Sequence, residues 1–325
     1  MIVFSDLHLR DESEETVFDQ VFPGLFHAAS HDPDKTLVCL GDFWHIRYRV
    51  SVRLQNRVMK FLDALGKAKI RFILLPGNHD QISVEGENAM EVFDSLPNVS
   101  VYTDPTWDRW GFWIPYRKNN ADIVDALALA EKQLGSGVTP VLWMHHGMKG
   151  ASMNNTIVNS NGIDPSYFSK WLVFTGHYHS RQKVGNVQYI GSPYQINASE
   201  AGQDKGYAIW ESKTMQMSPV TMEWGKRYHN LGLVDPDAVD LSSIREGDEV
   251  RAIAPMGMKP EDLGRLLGKS GGNCVVTPAL EASENRLAVK DRAGMIDYVK
   301  EYVRQFHATL DKDQLMAVYL RVSDR

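Results

Sequence analysis

Five short apolar runs punctuate the first two-thirds of the chain, and each ends in a polar cluster. They are MIVFSD at 1–6, KTLVCLGD at 35–42, IRFILLPGN at 70–78, TPVLWMHHG at 139–147 and WLVFTGHYH at 171–179. Unbroken apolar runs of this length suit strands covered on both faces. Between them the period changes. From Ser51 to Lys69, Leu54, Val58, Phe61, Leu62 and Leu65 recur at helical spacing, and Asp122 to Leu134 reads the same way. This alternation predicts a layered α/β architecture with function at the strand ends.

Two further stretches, 98–116 and 184–224, read as hairpins, so the sheets are expected to be mixed. Near residue 230 the pattern shifts to a linker and then a strand. A short helix in KPEDLGRLLGKSG and a strand in NCVVTP follow, and a final helix from Asp291 carries Ile296, Val299, Val303, Phe306 and Leu310 on one face. Packing on the small domain is the expected use of that face. The expected division is residues 1–230 and a smaller unit at 231–325.

Composition narrows the class. Of 325 residues, 43% are apolar or aromatic and 23% are charged, as in globular proteins with a sizeable core. No apolar run reaches the roughly 18 residues of a membrane span. The opening residues lack the basic region and long apolar stretch of a signal peptide. Two cysteines, Cys39 and Cys274, are too few for a disulfide framework, and Cys39 reads as a small core residue. A reducing cytoplasm is the expected setting. The net charge of −6 argues weakly against general adhesion to nucleic acid, although local charge can override the total.

The polar clusters carry the chemistry. They are Asp6 and His8; Asp42 and His45; Asn78, His79 and Asp80; His145 and His146; and His177 and His179. A lone D-x-H is more often surface than site, and G-D after a strand is common. Five such clusters in one chain, each directly after an apolar run, are not explained by surface polarity. Carboxylate, imidazole and amide oxygen without thiolate suit Mn²⁺, Fe²⁺ or Zn²⁺ rather than a structural cysteine site. Two such ions about 4 Å apart need a shared carboxylate, and can then activate water and clamp a phosphoryl oxygen. Strand alternation is expected to project Asp6 and His8 to one side. An N-terminal extension is expected to leave from beside them.

The order D-x-H, G-D-x-x-H, G-N-H-D, H and G-H-x-H resembles the calcineurin-like metallophosphoesterase superfamily. The resemblance covers about residues 1–230. It implies a metallophosphoesterase sandwich of mixed β-sheets flanked by helices, with a small C-terminal α+β capping domain. It also implies two divalent metal ions, most readily Mn²⁺, with Mg²⁺, Fe²⁺ or Zn²⁺ as alternatives. Asp6, His8 and His179 would hold one ion and Asn78, His145 and His177 the other, bridged by Asp42. His145 rather than His146 is taken as the ligand. His79 would serve the scissile phosphate, with Asp80 orienting it.

His45 with G-N-H-D resembles the SbcD-type DNA nucleases of double-strand-break repair and recombination, where it would be a second phosphate-side histidine. The stretch VQYIGSPYQINASEAGQDKGYAIWE resembles the same group, and the length resembles compact relatives encoded by large tailed phages. That resemblance implies a homodimeric nuclease with exonuclease and single-strand endonuclease character, in which the helix after Ser51 meets a second copy. It implies an SbcC-type SMC-like ATPase partner, no membrane, and the host cytoplasm if the gene is a phage's. Arg47, Arg49, Arg53, Arg57 and Lys60 follow the second cluster and are candidate DNA-phosphate contacts. Their plainer reading is a solvated helix face. Rival functions are a cyclic-nucleotide phosphodiesterase or nucleotidase, and a metal-free scaffold.

Overall fold

The computed structural model describes residues 1–46, 49–82, 87–135, 139–153, 157–233, 235, 241–255, 257–268 and 271–278. Two mixed six-stranded sheets dominate. The first contains β1 (Ile2–Phe4), β2 (Thr36–Leu40), β3 (Arg71–Leu75), β4 (Val99–Val101), β11 (Lys205–Glu211) and β12 (Gln216–Met222), in the order β12-β11-β1-β2-β3-β4. The second contains β5 (Thr106–Asp108), β6 (Gly111–Ile114), β7 (Val141–His145), β8 (Leu172–Gly176), β9 (Gln182–Val184) and β10 (Val187–Tyr189), in the order β5-β6-β7-β8-β10-β9. The central strands β1 to β4 and β6 to β8 run parallel, whereas β5–β6, β9–β10 and β11–β12 are antiparallel hairpins.

The period of two in each strand sorts the core into layers. Val3, Val38, Leu40, Ile73 and Leu75 of the first sheet meet Trp113, Val141, Trp143 and Phe174 of the second. Phe4, Leu37, Cys39, Phe72 and Leu74 point the other way, onto α2 (Phe22–His31) and α3 (Val52–Lys67). Phe112, Ile114, Leu142 and Met144 face α4 (Asn120–Glu131). The result is a helix–sheet–sheet–helix sandwich. A short helical turn, α1 (Glu14–Thr16), leads into α2.

The segment 98–116 is only partly a hairpin. β4 pairs parallel with β3, and the chain then crosses to the second sheet before β5 and β6 pair. After the sandwich, β13 (Tyr228–Leu233), β14 (Glu249–Ala254) and β15 (Asn273–Pro278) form a parallel sheet with α5 (Pro260–Leu267) against it. The break drawn at residue 230 therefore falls inside β13. Ile296, Val299, Val303, Phe306 and Leu310 lie outside the described residues.

Candidate metal centre

Every sequence cluster lies at the carboxyl end of a parallel strand: β1, β2 and β3 of one sheet, and β7 and β8 of the other. Open α/β sheets place ligands at this edge. Stacking two such sheets brings the five ends together. Within the first sheet the loops after β1 and β2 are tied by the backbone: Asp6 N–H donates to Gly41 O at 3.0 Å, and His8 N–H donates to Asp42 O at 2.9 Å.

The loops are not extensions of the strands. β1 ends at Phe4, and Asp6 and His8 have φ of 54° and 47°. Strand alternation thus does not aim them; left-handed backbone does. Asp42 (φ 52°) and His177 (φ 92°) are held the same way. Such conformations cost about 1–3 kcal/mol each and persist only where the surroundings enforce them. The glycine before each of two clusters has a steric reason. A methyl group on Gly41 would overlap the His145 ring, and one on Gly77 would overlap Asp42.

The nitrogen and oxygen atoms converge. Oxygen or nitrogen atoms of Asp6, His8 and His179 lie within 4.8 Å of one another, as do those of Asp42, His145 and His177. His8 Nε2 is 3.0 Å from His179 Nε2 and 3.5 Å from Asp42 Oδ2. His145 Nε2 is 3.4 Å from Asp42 Oδ1 and 3.2 Å from Asn78 Oδ1, which is 2.8 Å from His177 Nδ1. Asp42 stands between the two groups. Asp6 accepts the His177 N–H at 3.0 Å, tying β1 to β8.

Tautomers follow from the partners. His145 Nδ1 donates to Leu40 O at 2.7 Å, leaving Nε2 toward Asp42. His146 turns away, its Nε2 2.8 Å from Asn120 Oδ1. His179 Nδ1 donates to Glu200 Oε1 at 2.7 Å, so its Nε2 is the free edge beside His8. Burial disfavours the charged form of His177 and, with positive charge at His145, pulls it down to about 3. Burial also opposes charge on His145, but Asp42 overcomes it and raises His145 to about 9. Buried carboxylate and amide oxygens facing imidazole nitrogens, with no thiol among them, form a donor set that fits borderline divalent cations.

His45 and His79 stand beside this cluster with rings stacked 5.7 Å apart, both partly exposed. His79 Nδ1 donates to the His45 carbonyl at 2.9 Å. Asp80 does not orient His79. Its buried carboxylate accepts the backbone N–H groups of Phe43, Trp44 and Gly77 at 3.2, 2.9 and 2.9 Å, pinning the loops after β2 and β3 together.

The basic stripe is also different from the open phosphate track expected. Arg53 and Arg57 both donate to Glu14 Oε1, at 2.9 and 2.7 Å, and Arg57 also reaches Asp19 at 3.2 Å. Arg57 further lies over the Phe18 ring. Arg49 and Lys60 are exposed, and Arg47 lies outside the described residues. Met1 lies at the far end of β1 from Asp6, with its amino group 2.9 Å from Asp32, so an extension would not leave beside the cluster.

The sequence reading missed Arg10, Glu200 and Lys205. Arg10 reaches His45, and Glu200 and Lys205 stand behind His179. Glu200 and Lys205 lie in a stretch already singled out, but a Glu and a Lys in a polar loop look like surface charge. Their burial was the missing signal.

Comparison with known proteins agrees with this geometry. The chain is 25% identical over 208 residues to exonuclease subunit 1 of Enterobacteria phage T4, a stretch covering 60% of this chain and 58% of that protein. The chain therefore matches less than two-thirds of that relative's length. Residues 1–210 match the model of calcineurin-like phosphoesterases. That match takes in all five strand-end clusters, and the chain belongs to the calcineurin-like phosphoesterase family.

Proposed function

We propose that this protein is a metal-dependent DNA nuclease that hydrolyses phosphodiester bonds, with exonuclease and single-strand endonuclease character. The observation that carries the proposal is the convergence of seven donor residues, with Asp6, His8, Asp42 and His145 buried and Asn78, His177 and His179 half-buried, beside the half-buried His45–His79 pair. Likeness to a protein named an exonuclease subunit supports DNA as the substrate.

Asp6, His8 and His179 would hold one divalent cation, and Asn78, His145 and His177 a second, with Asp42 shared; Mn²⁺ is the ion we favour. Bound there, such ions lower the pKa of water toward about 7 and neutralise phosphoryl charge. The chain's own groups do the rest. Asp42 is kept in place by the His79 N–H, 2.8 Å from its Oδ1. The His45 carbonyl holds the Nδ1 proton of His79, so Nε2 is the remaining nitrogen. As the imidazolium, the ring gives the proton on Nε2 to the leaving oxygen and returns to the Nδ1–H neutral form. Asp80 holds the two loops that carry Asp42 and Asn78 at a fixed separation.

We assign the sandwich to the nuclease domain and the chain from β13 onward, close to the expected division of 1–230 and 231–325, to a capping and partner-contact domain. The working assembly is a homodimer with an SbcC-type SMC-like ATPase, acting in DNA recombination and repair in the cytoplasm. Among the described residues, no helix is long and apolar enough to cross a membrane. The rival reading is a cyclic-nucleotide phosphodiesterase or nucleotidase. Direct competition separates them: with Mn²⁺ present, a single-stranded oligonucleotide should inhibit hydrolysis of a small phosphodiester at lower concentration than cyclic or simple mononucleotides do. The reverse order would support the rival.

A further inference from the structure

Arg10 is a cation beside the cluster whose hydrogen bonds, among the described residues, all go to neutral groups. Its NH1 donates to His45 Nε2 at 3.2 Å and its NH2 to Ile196 O at 3.4 Å. Glu12 stands 3.7 Å from Nε, beyond hydrogen-bond range, and is 79% exposed, where ion pairs contribute little. A guanidinium has five donors and no acceptor, so donors remain free. Arg53 and Arg57, in contrast, are matched by carboxylates.

Arg10 also forms part of the wall of a cleft of about 620 Å³ between the sandwich and the β13–β14 segment. Two other cations in that wall are already paired, Lys226 with Glu249 at 3.2 Å and Arg245 with Glu223 at 3.5 Å. The wall also carries Glu12, Glu15, Glu223, Glu246 and Asp248. Among its described cations Arg10 is the one with no carboxylate within hydrogen-bond range, so its edge toward His45 rather than the acidic cleft is the place for an anion. His45 fixes Arg10: because the guanidinium can only donate, His45 Nε2 must accept, and the planar fork is held at the edge of the His45–His79 pair.

We propose that Arg10 binds a non-scissile phosphate of the DNA strand, with His45 as the positioning residue that holds its guanidinium. A planar fork matches phosphate oxygens in pairs, as an ammonium does not. The inference rests on the nuclease reading and adds to it a contact outside the metal donors. It also gives His45 an accepting role, which leaves proton donation to His79.

The test compares wild type, Arg10→Gln and Arg10→Lys on a short oligothymidylate and on bis(4-nitrophenyl) phosphate, which offers a single phosphate, across a salt series with Mn²⁺. Calorimetric titration with Mn²⁺ alone accompanies each variant. Arg10→Gln should raise KM for the oligonucleotide roughly 10- to 100-fold, the size expected for a lost hydrogen bond to a charged group. It should lower the salt slope of oligonucleotide affinity by about one. The loss of kcat/KM on the oligonucleotide should exceed that on the small diester by about tenfold. Arg10→Lys should recover the salt slope but only part of the KM.

An unchanged KM and salt slope in Arg10→Gln would overturn the inference. So would an equal loss on both substrates, or a comparable loss of Mn²⁺ affinity, since either would make Arg10 a support for the cluster alone. If the wild type hydrolyses the small diester but no oligonucleotide, the nuclease reading fails and this inference fails with it. That outcome is seen in the wild type and is distinct from the others.

Discussion

Glu200 and Lys205 form a buried ion pair 2.7 Å apart, each 4% exposed, directly behind His179. Glu200 Oε1 accepts the His179 Nδ1 proton, and Lys205 donates to the His179 carbonyl at 2.9 Å. Burial opposes charge on Glu200, but His179 and Lys205 hold its carboxyl at about 2. The pair therefore fixes the tautomer and the direction of an imidazole in the cluster. Partners of this kind typically tune metal affinity by roughly 10- to 100-fold.

Glu200→Gln should accordingly weaken Mn²⁺ binding by about 10- to 100-fold, measured by calorimetric titration of the metal-free protein. Lys205→Met should act mainly on folding. It leaves a carboxylate buried beside a histidine without its cation, and should cost about 3–5 kcal/mol in denaturant unfolding. If both variants bind Mn²⁺ and unfold like the wild type, the pair is not the support described.

His145 and His146 should separate cleanly. His145 faces Asp42 and Asn78, whereas His146 faces Asn120. His145→Ala should lower Mn²⁺ affinity by more than about 100-fold, beyond the range of an outer partner. His146→Ala should instead cost stability on the order of 1–3 kcal/mol, through lost packing of its buried ring and a half-buried Asn120 amide left unpaired. Equal Mn²⁺ affinities in the two variants would contradict the assignment.

The Glu14 network gives an acid-sensitive contribution to stability. Hydrogen bonding from Arg57, then charge from Arg53, holds the Glu14 carboxyl below its ordinary range despite some desolvation. A depressed folded pKa means stabilisation that is complete above the unfolded value of about 4.3 and is lost as pH falls through the folded value. Glu14→Gln should lower the urea midpoint at neutral pH, and the gap from wild type should narrow in acid. A gap that widens in acid would reverse the sign.

Much of this architecture is legible in the chain because strand chemistry is local. TLVCL and VLWMH are apolar on both faces, and the structure buries both faces in β2 and β7. The convergence of clusters follows from where parallel strands end. What was hidden depended on neighbours distant in sequence. Asp80 looked like a partner for adjacent His79, but three backbone N–H groups compete for its carboxylate and win. Arg53 and Arg57 looked free because Glu14 and Asp19 precede them by a whole strand and helix. The left-handed turns at Asp6 and His8 leave only a weak mark in a residue pattern, since Asp and His are enriched in that conformation yet still adopt others far more often.

The most direct measurement is cleavage of an end-labelled single-stranded oligonucleotide by wild type and Asp42→Asn, with Mn²⁺ and with a chelator. The account predicts shortened products from wild type with Mn²⁺ only, and a rate at least about 10³-fold lower for Asp42→Asn, where the shared carboxylate is lost. Cleavage by wild type that persists in chelator, or equal cleavage by Asp42→Asn, would contradict it.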